Sequence, residues 1–315
     1  MTNPSLSRRR FLTTAVAAAA TTSFHRSKLH AQEIPDVLAR GRAAGATAKV
    51  KVQSLRGNVT ALMGVGGNIA VLPGKDGKLL IDSGYATARP QLTEALTTIS
   101  PDSITHLVNT HWHFDHTDGN EWVHAAGATI IAHENCRTRL STPQEIVAYK
   151  AKFPPSPAGA IPTLVFKTDD ALKLNGANIT LRHYAPAHTD TDLSVYFAEA
   201  NVLHTGDTFW NPIYPFIDYS TGGNIDGMIL ANKRNLEIAN SDTIIIPGHG
   251  AVGNKAQLAD FHEMLATIRD NVAKLKKEGK SLDETVAAKP TTAFDEKFGG
   301  SQRAATFIGY VYQGV

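Results

Sequence analysis

The feature that most constrains this chain is the run His111-Trp112-His113-Phe114-Asp115-His116, which packs three imidazoles and a carboxylate into one short segment. In an extended segment His111 and His113 share a face, while Asp115 and His116 come one turn later and point elsewhere. A single loop can therefore feed two neighbouring metal ions. The run follows Thr105 to Val108, an apolar stretch of buried-strand type, so it sits at the carboxyl end of a strand. Whatever else the chain does, it must fold so that further donors reach that loop.

Cys136 is the only cysteine, so neither an intrachain disulfide nor a site of several thiolates can form. Metal must be held by imidazole and carboxylate, and Cys136 itself reads as a small buried hydrophobe. Further donors stand in turn contexts at strand ends: His188 in Ala187-His188-Thr189-Asp190, Asp207 in His204-Thr205-Gly206-Asp207-Thr208, and His249 in Pro247-Gly248-His249-Gly250. His106, His124, His133, His183, His204 and His262 lack such a setting and read as ordinary core or surface residues.

Short strands are expected at residues 49–55, 58–63, 69–72, 78–81, 105–108, 129–132, 179–183, 193–197, 201–204 and 243–246. Helical spacing covers 91–99, 121–126, 226–239 and 255–278. Residues 134–165, punctuated by Pro143, Pro154, Pro155, Pro157 and Pro162, read as a surface insertion. The turn Gly64 to Asn68 reads as a hairpin end between two strands or as a mobile flap. Strands mixed with helices in two β-rich halves argue for two sheets packed together with helices outside.

The ordered donor set resembles the metallo-β-lactamase fold hydrolases: His-x-His-x-Asp-His, a distant His, an Asp after Gly, and a final Gly-His, over roughly Val50 to Val252. The resemblance implies an α/β (α+β) fold, a four-layer αββα sandwich over residues 49–315 that ends in C-terminal helices. It implies His111, His113 and His188 on one zinc ion, Asp115, His116 and His249 on a second, and Asp207 bridging both. Asp82 matches an aspartate that ties the metal loops together. Zinc accepts such nitrogen and oxygen donors, and a catalytic zinc keeps a position open for water. Bound water then has a pKa near 7, so a metal-bridging hydroxide can attack a carbonyl while Asp115 orients it or carries its proton. Iron and manganese accept the same donors. Zinc follows from the resemblance and from His113, where diiron oxygen reductases of this fold need a glutamate.

The amino-terminal residues 1–31 read as a twin-arginine signal peptide: Ser7-Arg8-Arg9-Arg10-Phe11-Leu12, then an alanine- and threonine-rich stretch, then Leu29-His30-Ala31. Its apolar part is about half the ~20 residues a spanning helix needs. Residues 32–48 form a lead-in. The full chain has 31 basic and 29 acidic residues, but Arg8, Arg9, Arg10, Arg26 and Lys28 all precede the first acid, so the chain beyond Ala31 carries 26 basic against 29 acidic residues. The basicity belongs to targeting and gives no support to a nucleic-acid surface. The expected product is periplasmic or secreted, with no membrane span after cleavage. Its partner is a small-molecule substrate, and its oligomeric state is not encoded.

Thiolate-using β-lactamases carry a cysteine where this chain has Asp207, which excludes that subclass. Glyoxalase-type thioesterases share Asp207, but the basic and tyrosine residues of their C-terminal helical part are not recognisable after Gln257, and their cytosolic substrate suits export poorly. The first reading is hydrolysis of a β-lactam-like cyclic amide. The alternatives are a lactonase, thioesterase or other ester hydrolase, or a non-catalytic periplasmic metal-binding accessory protein. Trp210, Tyr214 and Phe216 are the candidate substrate wall, with core packing as the competing reading.

Overall fold

The edge strand Lys51–Ser54 (β1) is largely exposed, but every residue of Thr60–Met63 (β2), Ile69–Leu72 (β3) and Lys78–Ile81 (β4) is buried. A strand buried on both sides needs cover on both faces of its sheet. The computed structural model describes residues 35–315 and shows that cover. The expected export signal lies outside the described residues.

Strands β1 to β4 pair antiparallel in chain order. Ile104–Val108 (β5) and Thr129–His133 (β6) then add in parallel. Two short strands, Gln144–Ile146 (β7) and Ala151–Phe153 (β8), form a separate hairpin, and Leu164–Phe166 (β9) closes the first sheet beside β6. The second sheet runs Asp170–Leu174 (β10), Ala177–His183 (β11), Leu193–Phe197 (β12) and Val202–His204 (β13). After the short strand Trp210–Asn211 (β14) come Ile244–Ile246 (β15), His249–Gly250 (β16), which pairs with β14, and Gly253–Asn254 (β17). Its order is β10-β11-β12-β13-β15-β17.

The strand period of two sorts the side chains between layers. Leu79 and Ile81 of β4 meet Leu181, Val195 and Ile246 between the sheets, whereas Leu80 faces outward. On that outer face lie Leu92 and Leu96 of Arg89–Ile99 (α2), the helix that follows Asp36–Thr47 (α1). Phe114–Thr117 (α3) is the single turn inside the metal-binding run. Val123 of Asn120–Ala125 (α4) joins α2 on the outer face, and Glu134–Ser141 (α5) follows β6. The outer face of the second sheet is covered by Ile225–Ile238 (α6), Lys255–Lys277 (α7) and, beyond Leu282–Ala287 (α8) and Asp295–Phe298 (α9), by Gly300–Gly314 (α10). Each Leu or Ile side chain so buried stabilises the fold by ~1.5–3 kcal/mol. The result is the four-layer αββα sandwich expected. Among the described residues no helix is long and apolar enough to cross a membrane.

Two expectations change. The lead-in holds a helix, α1, whose Val37 and Leu38 pack against the insertion. The insertion is no simple surface loop, because Cys136, Leu140, Ile146, Ala151 and Phe153 are buried with Trp112 of the metal-binding run. The prolines signalled irregular backbone correctly, but the apolar residues between them carry a small core of their own.

Candidate metal centre

All seven expected donors converge on one point, each delivered by a segment that follows a strand. His111, His113 and His188 form one group whose ligand atoms lie within 4.8 Å of one another. His111, His116 and Asp207 form a second such group, and Asp115, His116 and His249 a third. Asp207 stands between them. Its carboxylate oxygens lie 3.1 Å from His116 Nε2, 3.3 Å from His249 Nε2, 3.4 Å from His188 Nε2 and 3.9 Å from His111 Nε2. None of the six other histidines joins a group of potential ligands among the described residues. His204, fully buried, bridges Asn68 O and the Gly206 amide as a structural residue.

The imidazoles are aimed by what holds their outer nitrogen, the arrangement that fixes tautomer and orientation in metal sites. His116 Nδ1 donates to Asp82 Oδ2 at 2.7 Å, His188 Nδ1 to Phe216 O at 2.9 Å, and His111 Nδ1 to Thr110 Oγ1 at 3.0 Å, leaving each Nε2 directed inward. His113 is turned the other way: Nε2 meets Asp218 Oδ2 at 3.1 Å and Nδ1 points at His188. Asp82 takes a left-handed backbone, φ 65°, at the end of β4. There its carboxylate also accepts from the Thr110 amide and hydroxyl at 2.8 and 2.7 Å. Aspartate tolerates that conformation better than most residues, and here it sets the metal-binding loop. Asp218 is in turn held by Thr221 Oγ1 at 2.7 Å and the Ser220 amide at 3.1 Å. Nothing local in the sequence marks Asp218, because the contact joins residues 105 apart. Asp218→Asn is expected to weaken binding at the three-histidine group about ten- to a hundredfold, read by competition with a chromophoric chelator.

The charges suit cations. Burial works against every ionised group here, yet the surrounding imidazoles hold Asp207 well below the usual carboxylate range and Asp115 at about 2. Burial keeps His111 well below the ordinary imidazole value and His188 down to about 4, so both are neutral and free to donate a lone pair. Against burial, Asp207 and Asp115 raise His249 to about 9 and, joined by Asp82, lift His116 well above its ordinary value. Protons there stand where dications would. His111 Nε2 is buried with no hydrogen-bond partner, and Asp207 Oδ1 makes no aligned bond despite its closeness to His116. A buried polar atom left unpaired is costly, and a metal ion satisfies both. The donor set and these orphaned atoms fit divalent metal.

The Gly64 to Asn68 turn is not a flap. Val65 is fully buried, Gly67 N donates to Asp115 O at 2.9 Å, and Asn68 reaches Gly248 O and Pro247 O at 2.8 Å each. A Cβ at Gly67 would overlap the His116 ring, so glycine is required for the turn to lie beneath the cluster.

Asp115 and His249, with side chains 17% and 21% exposed, are the donors most open to solvent. The Trp210 ring lies 4.3 Å from that of His249, and Phe216 lies 5.9 Å from His113 and 5.7 Å from His188. Both line a cleft of about 530 Å³. Tyr214 borders the same cleft, but its ring packs on Phe298 and Phe307 and its hydroxyl donates to Asp295, so it is half core. Sequence reasoning missed Tyr149, Arg303 and Tyr310, which complete the cleft from the insertion and from α10. A second cavity of about 350 Å³ is lined in part by Trp112 and Phe114, and none of the seven donors borders either cavity.

A family model described as the metallo-beta-lactamase superfamily matches residues 62–249. The chain is 31% identical over 201 residues to a probable metallo-hydrolase of Methanocaldococcus jannaschii, covering 61% of this chain and 91% of that one. It is 28% identical over 173 residues to a hydroxyacylglutathione hydrolase of Polaromonas sp., covering 54% of this chain and 56% of that protein, so it spans about half the length of that relative. A sec-alkylsulfatase from Pseudomonas sp. superposes with a TM-score of 0.58 at 18% identity, over 89% of this chain and 52% of that one, a likeness of fold.

Proposed function

The chain belongs to the metallo-β-lactamase superfamily of metallo-hydrolases, and from that premise we propose that it is an exported enzyme that cleaves a small carboxylic ester, lactone or thioester at a two-metal centre. The observation that carries this reading is the convergence of seven donors, most open to solvent at Asp115 and His249, with Trp210 of a neighbouring aromatic cleft against His249.

His111, His113 and His188 would hold one ion, Asp115, His116 and His249 the other, and Asp207 both, with zinc the expected metal. Bound divalent ions supply Lewis acidity, acidifying water and polarising the carbonyl. The residues of the chain do the rest. Asp115, on the solvent side and 3.1 Å from His249, accepts the proton of the attacking water and returns it to the leaving oxygen or sulfur. Trp210 and Phe216 wall the acyl group against the imidazoles and keep bulk water away. Asp82 and Asp218 hold the imidazoles in register.

Ester-type substrates rank ahead of the cyclic amide favoured by sequence alone, because the similarity to a hydroxyacylglutathione hydrolase extends to sequence. A β-lactam-like amide is the second reading, supported by the family itself. The twin-arginine segment of residues 1–31 supports a periplasmic or secreted enzyme. The metal-loaded protein should be assayed against lactones, esters, thioesters, sulfate esters, phosphodiesters and β-lactams. On any substrate turned over, Asp115→Ala is expected to lower kcat/KM by about a hundredfold. Full activity in that variant refutes the proton role of Asp115. A protein that binds metal but turns over nothing in the panel is the accessory protein instead.

A further inference from the structure

The second cavity, of about 350 Å³, has part of the metal-binding run for a wall. Trp112 and Phe114, which alternate along that run with the donors His111, His113 and Asp115, both line it. Phe114 and Phe153 stack with ring centroids 5.3 Å apart, and Trp112 meets Phe153 edge-on at 6.0 Å. Trp122 of α4 adds a fourth ring, with the Arg89 guanidinium 5.9 Å from its centre. Size and aromatic walls are those of a small-molecule site. Charged side chains line the same space. Arg42 is held by Asp118, and Arg139 by Asp190. Arg89 of α2 and Glu121 of α4 are left over: both are exposed, and neither joins an ion pair among the described residues. The cavity thus offers one cation and one anion beside an aromatic wall.

From this juxtaposition we propose that the cavity is a second ligand site for a small aromatic zwitterion, an aromatic amino acid being the simplest, with its carboxylate on Arg89, its ammonium on Glu121 and its ring against Phe114, Phe153 and Trp112. The guanidinium fork matches a carboxylate, and an ionised carboxylate accepts the N–H groups of an ammonium. Two opposite charges also select against simpler molecules, because an acid alone faces Glu121 and an amine alone faces Arg89. Trp112 and Phe114 share one stretch of backbone with four donors, and Asp118, held by Arg42 of α1, follows His116 by two residues. A ligand that fixes those rings also fixes the metal-binding run, so ligand and metal each bind more tightly in the presence of the other. None of the seven donors borders the cavity, and the proposal stands apart from the choice of substrate.

The test is equilibrium dialysis of radiolabelled L-phenylalanine, L-tyrosine and L-tryptophan against the metal-loaded full chain, with phenethylamine and 3-phenylpropanoate as competitors. Saturable binding of at least one amino acid is expected, with each competitor about tenfold weaker than L-phenylalanine, the worth of one charged hydrogen bond. Arg89→Gln should weaken L-phenylalanine and 3-phenylpropanoate about tenfold and leave phenethylamine unchanged. Glu121→Gln should weaken L-phenylalanine and phenethylamine and leave 3-phenylpropanoate unchanged. Both side chains are exposed, so both variants should fold, which an unchanged melting temperature reports. Saturable binding that is equal in wild type and both variants puts the amino acid elsewhere, the metals included, and overturns the inference. So does the absence of saturable binding for all three amino acids at millimolar concentration. A competitor that binds as tightly as L-phenylalanine overturns the pairing of two charges. Affinity for L-phenylalanine should be about fivefold or more higher with metal loaded than without. Equal affinity in the two states upholds the site and overturns its coupling to the metals. Each outcome leaves the hydrolase reading to be decided by the substrate panel.

Discussion

Replacing Asp207 by alanine is expected to lower kcat/KM by about a thousandfold and to leave the protein with a single metal ion or none. Asp207 is the residue nearest to both halves of the cluster, 3.1 Å from His116 and 3.4 Å from His188, and its side chain is 3% exposed. With the two-metal assignment proposed above, its removal would take away the charge that offsets the cations and the donor shared between them. Asp207→Asn, which keeps the shape and loses the charge, should fall nearly as far in activity. Metal content by elemental analysis, alongside kinetics, separates the roles. Full metal occupancy in the alanine variant would show that Asp207 bridges nothing.

Removing metal with a chelator should abolish turnover and lower the melting temperature by about 10 °C. The magnitude follows from linkage: an ion present at about a thousandfold its dissociation constant contributes ~4 kcal/mol, and a chain of this size loses ~2–4 °C per kcal/mol. The loss should grow with pH. In the metal-free protein His249 is raised to about 9 by Asp207 and Asp115, acting against burial. A group whose folded pKa exceeds its unfolded value near 6.5 stabilises the fold fully below that value and loses the contribution as pH rises through the folded pKa. Protons thus substitute for metal at pH 6 and cease to do so by pH 9. Calorimetry with and without chelator across that range reads the effect. A melting temperature indifferent to chelator at pH 9 would remove the metals from the stability of the fold.

The seven donors and Asp82 were legible because each sits in a short turn motif, and local spacing alone announces a metal loop at His111 to His116. The sandwich was legible from the period of its strands, down to the bounds of Lys78–Ile81 and Leu193–Phe197. What escaped was everything made by long-range packing. Asp218 reaches His113 across 105 residues, and Arg303 and Tyr310 share a cleft with Tyr149 only because α10 folds back. The glycine turn misled for the same reason. Gly64 to Asn68 reads as flexible in isolation, while in the fold its backbone is clamped by Asp115 and Gly248. The prolines of the insertion spoke for backbone irregularity and said nothing of Cys136, Leu140 and Phe153 beneath it.

The donors divide between the two halves of the sandwich: four come from the segment after β5 in the first sheet, and His188, Asp207 and His249 come from the segments that follow β11, β13 and β15 of the second. With the ligand assignment proposed above, the first ion waits for His188 and the second for His249, so neither shell closes on a nascent chain until synthesis has passed residue 188 and then 249. On that assignment metal uptake would be a checkpoint on biogenesis. A truncated or half-docked chain stays unloaded, and an export route that carries finished proteins would release only molecules whose two halves have already met.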